Sequence, residues 1–203
     1  IVDGKLVYHN TYGVKNTLTQ EPVVENTIFQ AASITKPVFA YTVLRLSDKG
    51  IIDLDRPLYE YLPFEELKND IRYKKMTARH VLSHQTGLPN WGRKLNFEPG
   101  TAFGYSGEGF EYLKRVVEKI TNRSILNILE EEVLIPFKMT ENTYFVREPE
   151  MYSKAAFGHN YNLPTTNWII NRVGMARSMY TESKEFTNFI LALMNGVGLS
   201  KET

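Results

Sequence analysis

The stretch from about Ser33 to Asp48 reads as a helix that has to be largely buried, and it carries a lysine near its start. Val38, Phe39, Val43, Leu44 and Leu46 supply its apolar side, and Gly50 sits just past its end as a stop. Pro37 lies in the first turn, where a missing N–H costs least. The run Pro37-Val38-Phe39-Ala40 sets Lys36 beside a core segment, an unusual place for a charge. A chain built round such a helix needs enough apolar material to enclose it. With 203 residues, 42% of them hydrophobic and 23% charged, it has enough for one compact domain or two intimately packed ones. No disulfide or metal is needed to staple a core of that size.

Ser33-Ile34-Thr35-Lys36 is an S-x-x-K tetrad at the start of that helix. Residues i and i+3 share a helix face, so the hydroxyl and the amine can meet. A serine hydroxyl is a weak nucleophile until a nearby base takes its proton. A lysine serves as that base only when its ammonium is deprotonated, which desolvation or a neighbouring cation favours. The helix N-terminus adds positive potential and free N–H groups suited to an oxyanion, with the N–H of Ser33 as the first donor. Taken alone, so short a match also fits a helix-capping serine and a solvated lysine. Tyr105-Ser106-Gly107, between a Pro/Gly-rich loop and a helix start, offers a phenol that can share a proton with Lys36 and Ser33. The plainer reading is a packed ring whose hydroxyl is satisfied by backbone.

Other signals are weaker. His80 and His84 stand at i and i+4, but no third ligand or H-E-x-x-H glutamate accompanies them. Both read as capping or core histidines, and no metal is expected. Gly104, Gly107 and Gly109 precede a helix without the G-x-G-x-x-G order of a phosphate cradle. Asn122-Arg123-Ser124 fits a glycosylation sequon too short to carry weight. The net charge of +1, with basic and acidic residues interspersed, argues against nucleic acid as a partner. The absence of cysteine removes thiol catalysis, thiolate metal sites and disulfides. No stretch approaches the roughly 18 apolar residues of a membrane span.

Along the chain, residues 1–15 read as two short strands around the hairpin dipeptide Asp3-Gly4, and 16–28 as loop then strand. Residues 51–76 are irregular. Thr77 caps a short helix ending near His84, with Gly87 as terminator, and 86–104 form a long ordered loop. Helices follow at about 108–120 and 125–133, residues 134–180 are mostly loops and short strands, and Thr181 caps a last helix ending at Asn195-Gly196. A helix-rich middle between β-flavoured ends implies one domain inserted into another. The division expected is 1–48 and 166–203 for an α/β domain and 49–165 for a mostly helical one.

In their order, several segments resemble the class C β-lactamase-like serine hydrolases, a family that includes penicillin-binding proteins, esterases and D-amino-acid peptidases. They are Phe29-Gln30-Ala31-Ala32-Ser33-Ile34-Thr35-Lys36, Leu54-Asp55-Arg56-Pro57-Leu58, Tyr61-Leu62-Pro63 and Thr77-Ala78-Arg79-His80-Val81-Leu82-Ser83-His84-Gln85-Thr86-Gly87-Leu88-Pro89. Phe97-Glu98-Pro99-Gly100, Phe103-Gly104-Tyr105-Ser106-Gly107, Ile135-Pro136-Phe137-Lys138-Met139-Thr140 and Gly174-Met175-Ala176-Arg177-Ser178 complete the set. The resemblance implies an α+β fold of the β-lactamase/transpeptidase-like type, an antiparallel sheet flanked by helices plus a mostly helical domain, with the active site in the cleft between them. It implies acyl transfer through an ester on Ser33, with Lys36 and Tyr105 moving protons and titrating as a unit. The substrate would be a small molecule or peptide: a β-lactam, a D-amino-acid peptide or a small ester. No cofactor is expected, since serine acyl transfer requires none. A periplasmic, cell-surface or secreted location follows from the resemblance alone.

The sequence departs from the family in three places. Gly107 stands where the family's second motif, Tyr-x-Asn, has an amide, which removes one polar contact to substrate or Lys36. The third motif, a Lys- or His-containing triad ending in Gly after the last helix, is not found, and Gly158-His159-Asn160 comes too early to supply it. The family's opening helix is missing too. The chain therefore reads as a partial one, incomplete in its sheet, and the 203 residues alone are expected to be inactive. The alternative function is a catalytically silent receptor for peptidoglycan-like or peptide ligands, against which the joint retention of Ser33, Lys36 and Tyr105 argues.

Overall fold

A computed structural model of the chain describes residues 1–146, 148–165 and 172–203. Short strands β1 (Val14–Asn16), β2 (Glu21–Pro22) and β3 (Phe29–Ala32) lead into helix α1 (Thr35–Asp48). Three 3₁₀ turns, at 58–60, 65–67 and 71–75, precede α2 (Ala78–Leu82). After a long loop come α3 (Glu108–Thr121) and α4 (Ile125–Leu129), the latter continuing into a π turn over Glu130–Leu134. Then follow α5 (Pro149–Lys154), β4 (His159–Asn160), β5 (Leu163–Pro164), β6 (Met179–Thr181) and α6 (Ser183–Met194). Among the described residues the strands form three antiparallel pairs, β1–β2, β3–β6 and β4–β5.

Helix α1 is the axis of the core. Val38, Phe39 and Val43 are fully buried. Phe39 meets Phe110 of α3 edge-on at 6.3 Å, and Tyr41 meets Phe189 of α6 at 5.7 Å. The Tyr41 hydroxyl donates to the carbonyl of Val197 at 2.9 Å, so the phenol enters the core without an orphaned oxygen. At its far end α1 is tied to the π turn. Arg45 and Lys49 both pair with Glu132, a carboxylate only 2% exposed, which needs such partners to remain there. One continuous apolar cluster links α1, α3, α4 and α6.

The helix start is fixed by the sheet. Strand β3 pairs with β6 in the register Phe29↔Thr181 and Gln30↔Tyr180, then slips by a bulge to Ala32↔Met179. Ala32 adopts φ +45°, a left-handed conformation that a residue with a Cβ takes only when its surroundings impose it. Thr35 does much of the imposing. Its buried hydroxyl donates to the carbonyl of Ala32 at 2.6 Å and accepts from the N–H of Met179 at 2.9 Å. One side chain thus joins strand, helix and partner strand.

Several local expectations change in the structure. Asp3-Gly4 does make the turn, bridged Val2 to Lys5, but no strands extend from it, and Leu6, Val7 and Tyr8 are exposed. Thr77 caps α2 as expected, in a capping box with His80. The helix ends at Leu82, two residues before His84, which takes a left-handed turn at φ +57°, and Gly87 takes a second at φ +79°. The cap of α6 is Glu182 rather than Thr181. Its carboxylate accepts from the N–H groups of Lys184 and Glu185, while the Thr181 hydroxyl is engaged with Thr143. The domain boundary expected at residue 166 falls in a stretch outside the described residues.

Replacing Thr35 by Val keeps its shape and strips two buried hydrogen bonds. Each buried group left unpaired costs about 1–3 kcal/mol, so Thr35→Val is expected to lower unfolding stability by roughly 2–4 kcal/mol. Urea unfolding checks this, and a loss under about 0.5 kcal/mol counts against the stitch.

Candidate active site

Ser33 lies at the surface and Lys36 beneath it. The serine is exposed, whereas Lys36, one turn on, is 5% exposed. Lys36 Nζ donates to Ser33 Oγ at 3.2 Å and to the carbonyl of Ala176 at 2.7 Å. It also stands 4.7 Å from the ring centroid of Tyr105 and 5.6 Å from that of Phe110. Two oxygens and two π faces therefore compensate an ammonium taken out of water. Among the described residues, nothing accepts a hydrogen bond from the N–H of Ser33, which leaves it free to meet an oxyanion.

Tyr105 arrives from the loop before α3. Burial works to raise its phenol, but hydrogen-bonding interactions with Lys36 and Ser33, and the Lys36 charge, outweigh that and hold it below the ordinary tyrosine value. Its ring is backed by the imidazole of His84, 4.5 Å away at 30°, which in turn rests on Phe110 at 5.3 Å. His84 Nδ1 accepts from the N–H of Ser106 at 3.0 Å, fixing the turn that follows Tyr105.

The strap of residues 174–178, just before β6, closes the other side. The Ala176 carbonyl receives Lys36, and the N–H of the same residue donates to Glu111 Oε1 of α3 at 2.9 Å. The Glu111 carboxyl is thus linked through one residue to the ammonium. Burial pushes that carboxyl above its usual range, against the lowering effect of the Ala176 N–H.

Gly107 is occupied space rather than a gap. A Cβ there would stand 2.8 Å from both the carbonyl oxygen and Oδ1 of Asn90, and 3.2 Å from the Trp91 ring. The loop that fills it is clamped: Ser106 Oγ donates to the Pro89 carbonyl at 3.1 Å, and the N–H of Glu108 to the Asn90 carbonyl at 3.1 Å.

Comparison with known proteins gives this geometry a family. A family model described as Beta-lactamase matches residues 1–203. The chain belongs to the beta-lactamase family. It is similar to penicillin-binding protein 4* of Bacillus subtilis, 25% identical over 195 residues, with 82% of this chain and 42% of that protein covered. It is similar to esterase EstB of Burkholderia gladioli, 27% identical over 184 residues, covering 74% and 47%. The chain spans less than half the length of these two relatives. Among solved structures, a class C beta lactamase matches with TM-score 0.82 at 24% identity, over 97% of this chain and 59% of that one. A penicillin-binding protein from Bacillus halodurans matches with TM-score 0.79 at 22% identity, over 95% and 67%. Likeness at these identities establishes the β-lactamase/transpeptidase-like α+β fold.

The three residues singled out from sequence, Ser33, Lys36 and Tyr105, are brought together. His80 sits away from them, its Nδ1 accepting from the N–H of Thr77 at 3.4 Å as part of the α2 cap. Sequence reasoning gave no role to Glu111, Ala176 or the ring of His84 at the site. Ala176 falls within a segment that carried the resemblance, but a backbone carbonyl leaves no mark in side-chain identity. Glu111 reads as one more acidic residue in the first turn of a helix.

His84 makes the site sensitive to acid. Burial first, and the Lys36 charge second, hold its imidazole below the ordinary histidine value. Above about pH 6.5 it is neutral in both folded and unfolded chains and its stabilisation is fully present. As pH falls below that, the unfolded chain takes up the proton first, so stability declines until the lower folded value is reached. In urea unfolding between pH 7.5 and 5, His84→Asn, which suits the left-handed backbone, is expected to remove part of the decline. An unchanged slope excludes His84 as its source.

Proposed function

We propose that the protein of which this chain is part is a serine hydrolase working through an acyl ester on Ser33. The observation that carries this is an exposed serine hydroxyl 3.2 Å from a buried ammonium that a tyrosine ring covers. In the proposed reaction Ser33 Oγ attacks the carbonyl carbon of an ester or amide and its proton passes to the Lys36–Tyr105 pair. The N–H of Ser33 meets the developing oxyanion. The pair returns a proton to the leaving alcohol or amine as its bond to carbon breaks, and water then cleaves the acyl ester by the same route reversed. Lys36 lies against Tyr105, so the two hand the proton on together.

The proposed substrates are β-lactams, D-amino-acid peptides and small esters, in keeping with the penicillin-binding protein, esterase and class C beta lactamase that the chain resembles. No step calls on a cofactor. A periplasmic, cell-surface or secreted location is part of the same proposal. No helix among the described residues is long and apolar enough to cross a membrane. The inserted-domain division, with 49–165 between the two α/β segments, is proposed with it.

The test uses the full-length protein with a fluorophosphonate probe and, separately, a penicillin, followed by intact mass and adduct mapping. The probe is expected on Ser33 and absent from Ser33→Ala. Lys36→Ala and Tyr105→Phe are expected to slow labelling by about 10²-fold or more, the usual worth of a positioned proton carrier. A penicillin adduct narrows the substrate to β-lactams or cell-wall peptides, and its absence beside a probe adduct favours esters. A well-folded protein that reacts with neither reagent overturns the assignment of Ser33.

A further inference from the structure

A second concavity of about 390 Å³ shares a wall with the site. That wall is the 174–178 strap whose Ala176 holds Lys36 on one side and Glu111 on the other. Five cations line it, Arg93, Lys114, Arg115, Arg172 and Arg177, against two carboxylates, Glu108 and Glu111. Three of the cations are already answered. Arg93 and Arg115 share Glu66 at 3.2 and 3.7 Å, Arg93 also reaches Glu108 at 3.8 Å, and Lys114 pairs with Glu118 at 2.9 Å. Arg172 and Arg177 form no ion pair with any described residue. Arg177 instead lays its guanidinium over the Trp91 ring at 4.8 Å, which fixes the fork while leaving its N–H edge unspent.

From this we propose that the cavity is a substrate subsite for a carboxylate, held by Arg172 and Arg177. The proposal rests on the reading of Ser33 as the acylated residue. Neither fork is in an ion pair among the described residues, although the Arg172 charge reaches the Glu111 carboxyl, and two such forks match a planar oxyanion bidentately. The two carboxylates in the same wall favour a monoanion over a phosphate dianion, which they would repel more strongly. Trp91 and Glu108, the residues against and just after Gly107, line the cavity, so in this proposal a substrate bound at Ser33 reaches it by extending past Tyr105.

Paired activated esters test this on the full-length protein. p-Nitrophenyl hydrogen adipate is compared with p-nitrophenyl hexanoate, which replaces the free carboxylate by a methyl group, and the comparison is repeated with the eight-carbon pair. The readout is the ratio of kcat/KM for the anionic and neutral esters. This ratio is insensitive to losses shared by both substrates. It is expected to exceed one in the unmodified protein and to fall about ten-fold in Arg177→Gln and in Arg172→Gln. It is also expected to shrink as ionic strength rises. A ratio at or below one for both chain lengths, or one that survives both substitutions, overturns the subsite. Turnover without a Ser33 adduct overturns the reading on which it rests, and fluorophosphonate mapping of the same samples tells the two failures apart.

Discussion

Lys36 is held in a place where an ammonium has no water to rely on, and the arrangement of the site follows from satisfying it. A charge removed from solvent demands partners in fixed positions. Here they come from four separate parts of the chain: the Ser33 hydroxyl, the Ala176 carbonyl, and the rings of Tyr105 and Phe110. Each partner drags its own element into place. Ala176 brings the strap and, through Glu111, the start of α3. Tyr105 brings the loop behind it and the imidazole of His84. A lysine that served only as a surface charge would require none of this.

The strained side of the same construction lies one residue before the serine. The bulge in β3 and the positive φ of Ala32 turn the chain sharply from strand to helix, which sets Ser33 outward and exposed while Lys36 points into the core. Such a backbone persists because neighbouring contacts over-determine it. The Thr35 hydroxyl supplies two of those contacts and so carries structural strain for a group it never touches chemically.

Much of this could be read from the residues in order. The buried helix after Ser33 was legible because its apolar side, its early proline and its terminal glycine agree with one another. The grouping of Ser33, Lys36 and Tyr105 was legible only through the family resemblance of the segments that carry them, since each taken by itself also fits a plain structural role. What the sequence hid has a common physical character. The Thr35 stitch, the Ala176 carbonyl and the Glu111 link are contacts between side chains and backbone far apart in the chain, and backbone atoms are the same in every residue. At the N-terminus the local signal was right and its extension was not. Asp3-Gly4 makes the turn, while Leu6, Val7 and Tyr8 are exposed and form no strand. The cap of α6 shows the competition in miniature: Thr181 is a plausible cap, yet Thr143 claims its hydroxyl and Glu182 takes the role.

The filled space at Gly107 couples two distant positions. An asparagine is not accommodated there by one substitution, because its Cβ would collide with the backbone oxygen of Asn90, which no change of side chain at residue 90 removes. The loop would first have to surrender the hydrogen bonds that anchor Pro89 and Asn90 to the start of α3. A side chain at residue 107 and the present course of the Asn90 loop therefore exclude each other, and a substitution at either place has to be matched by a change at the other.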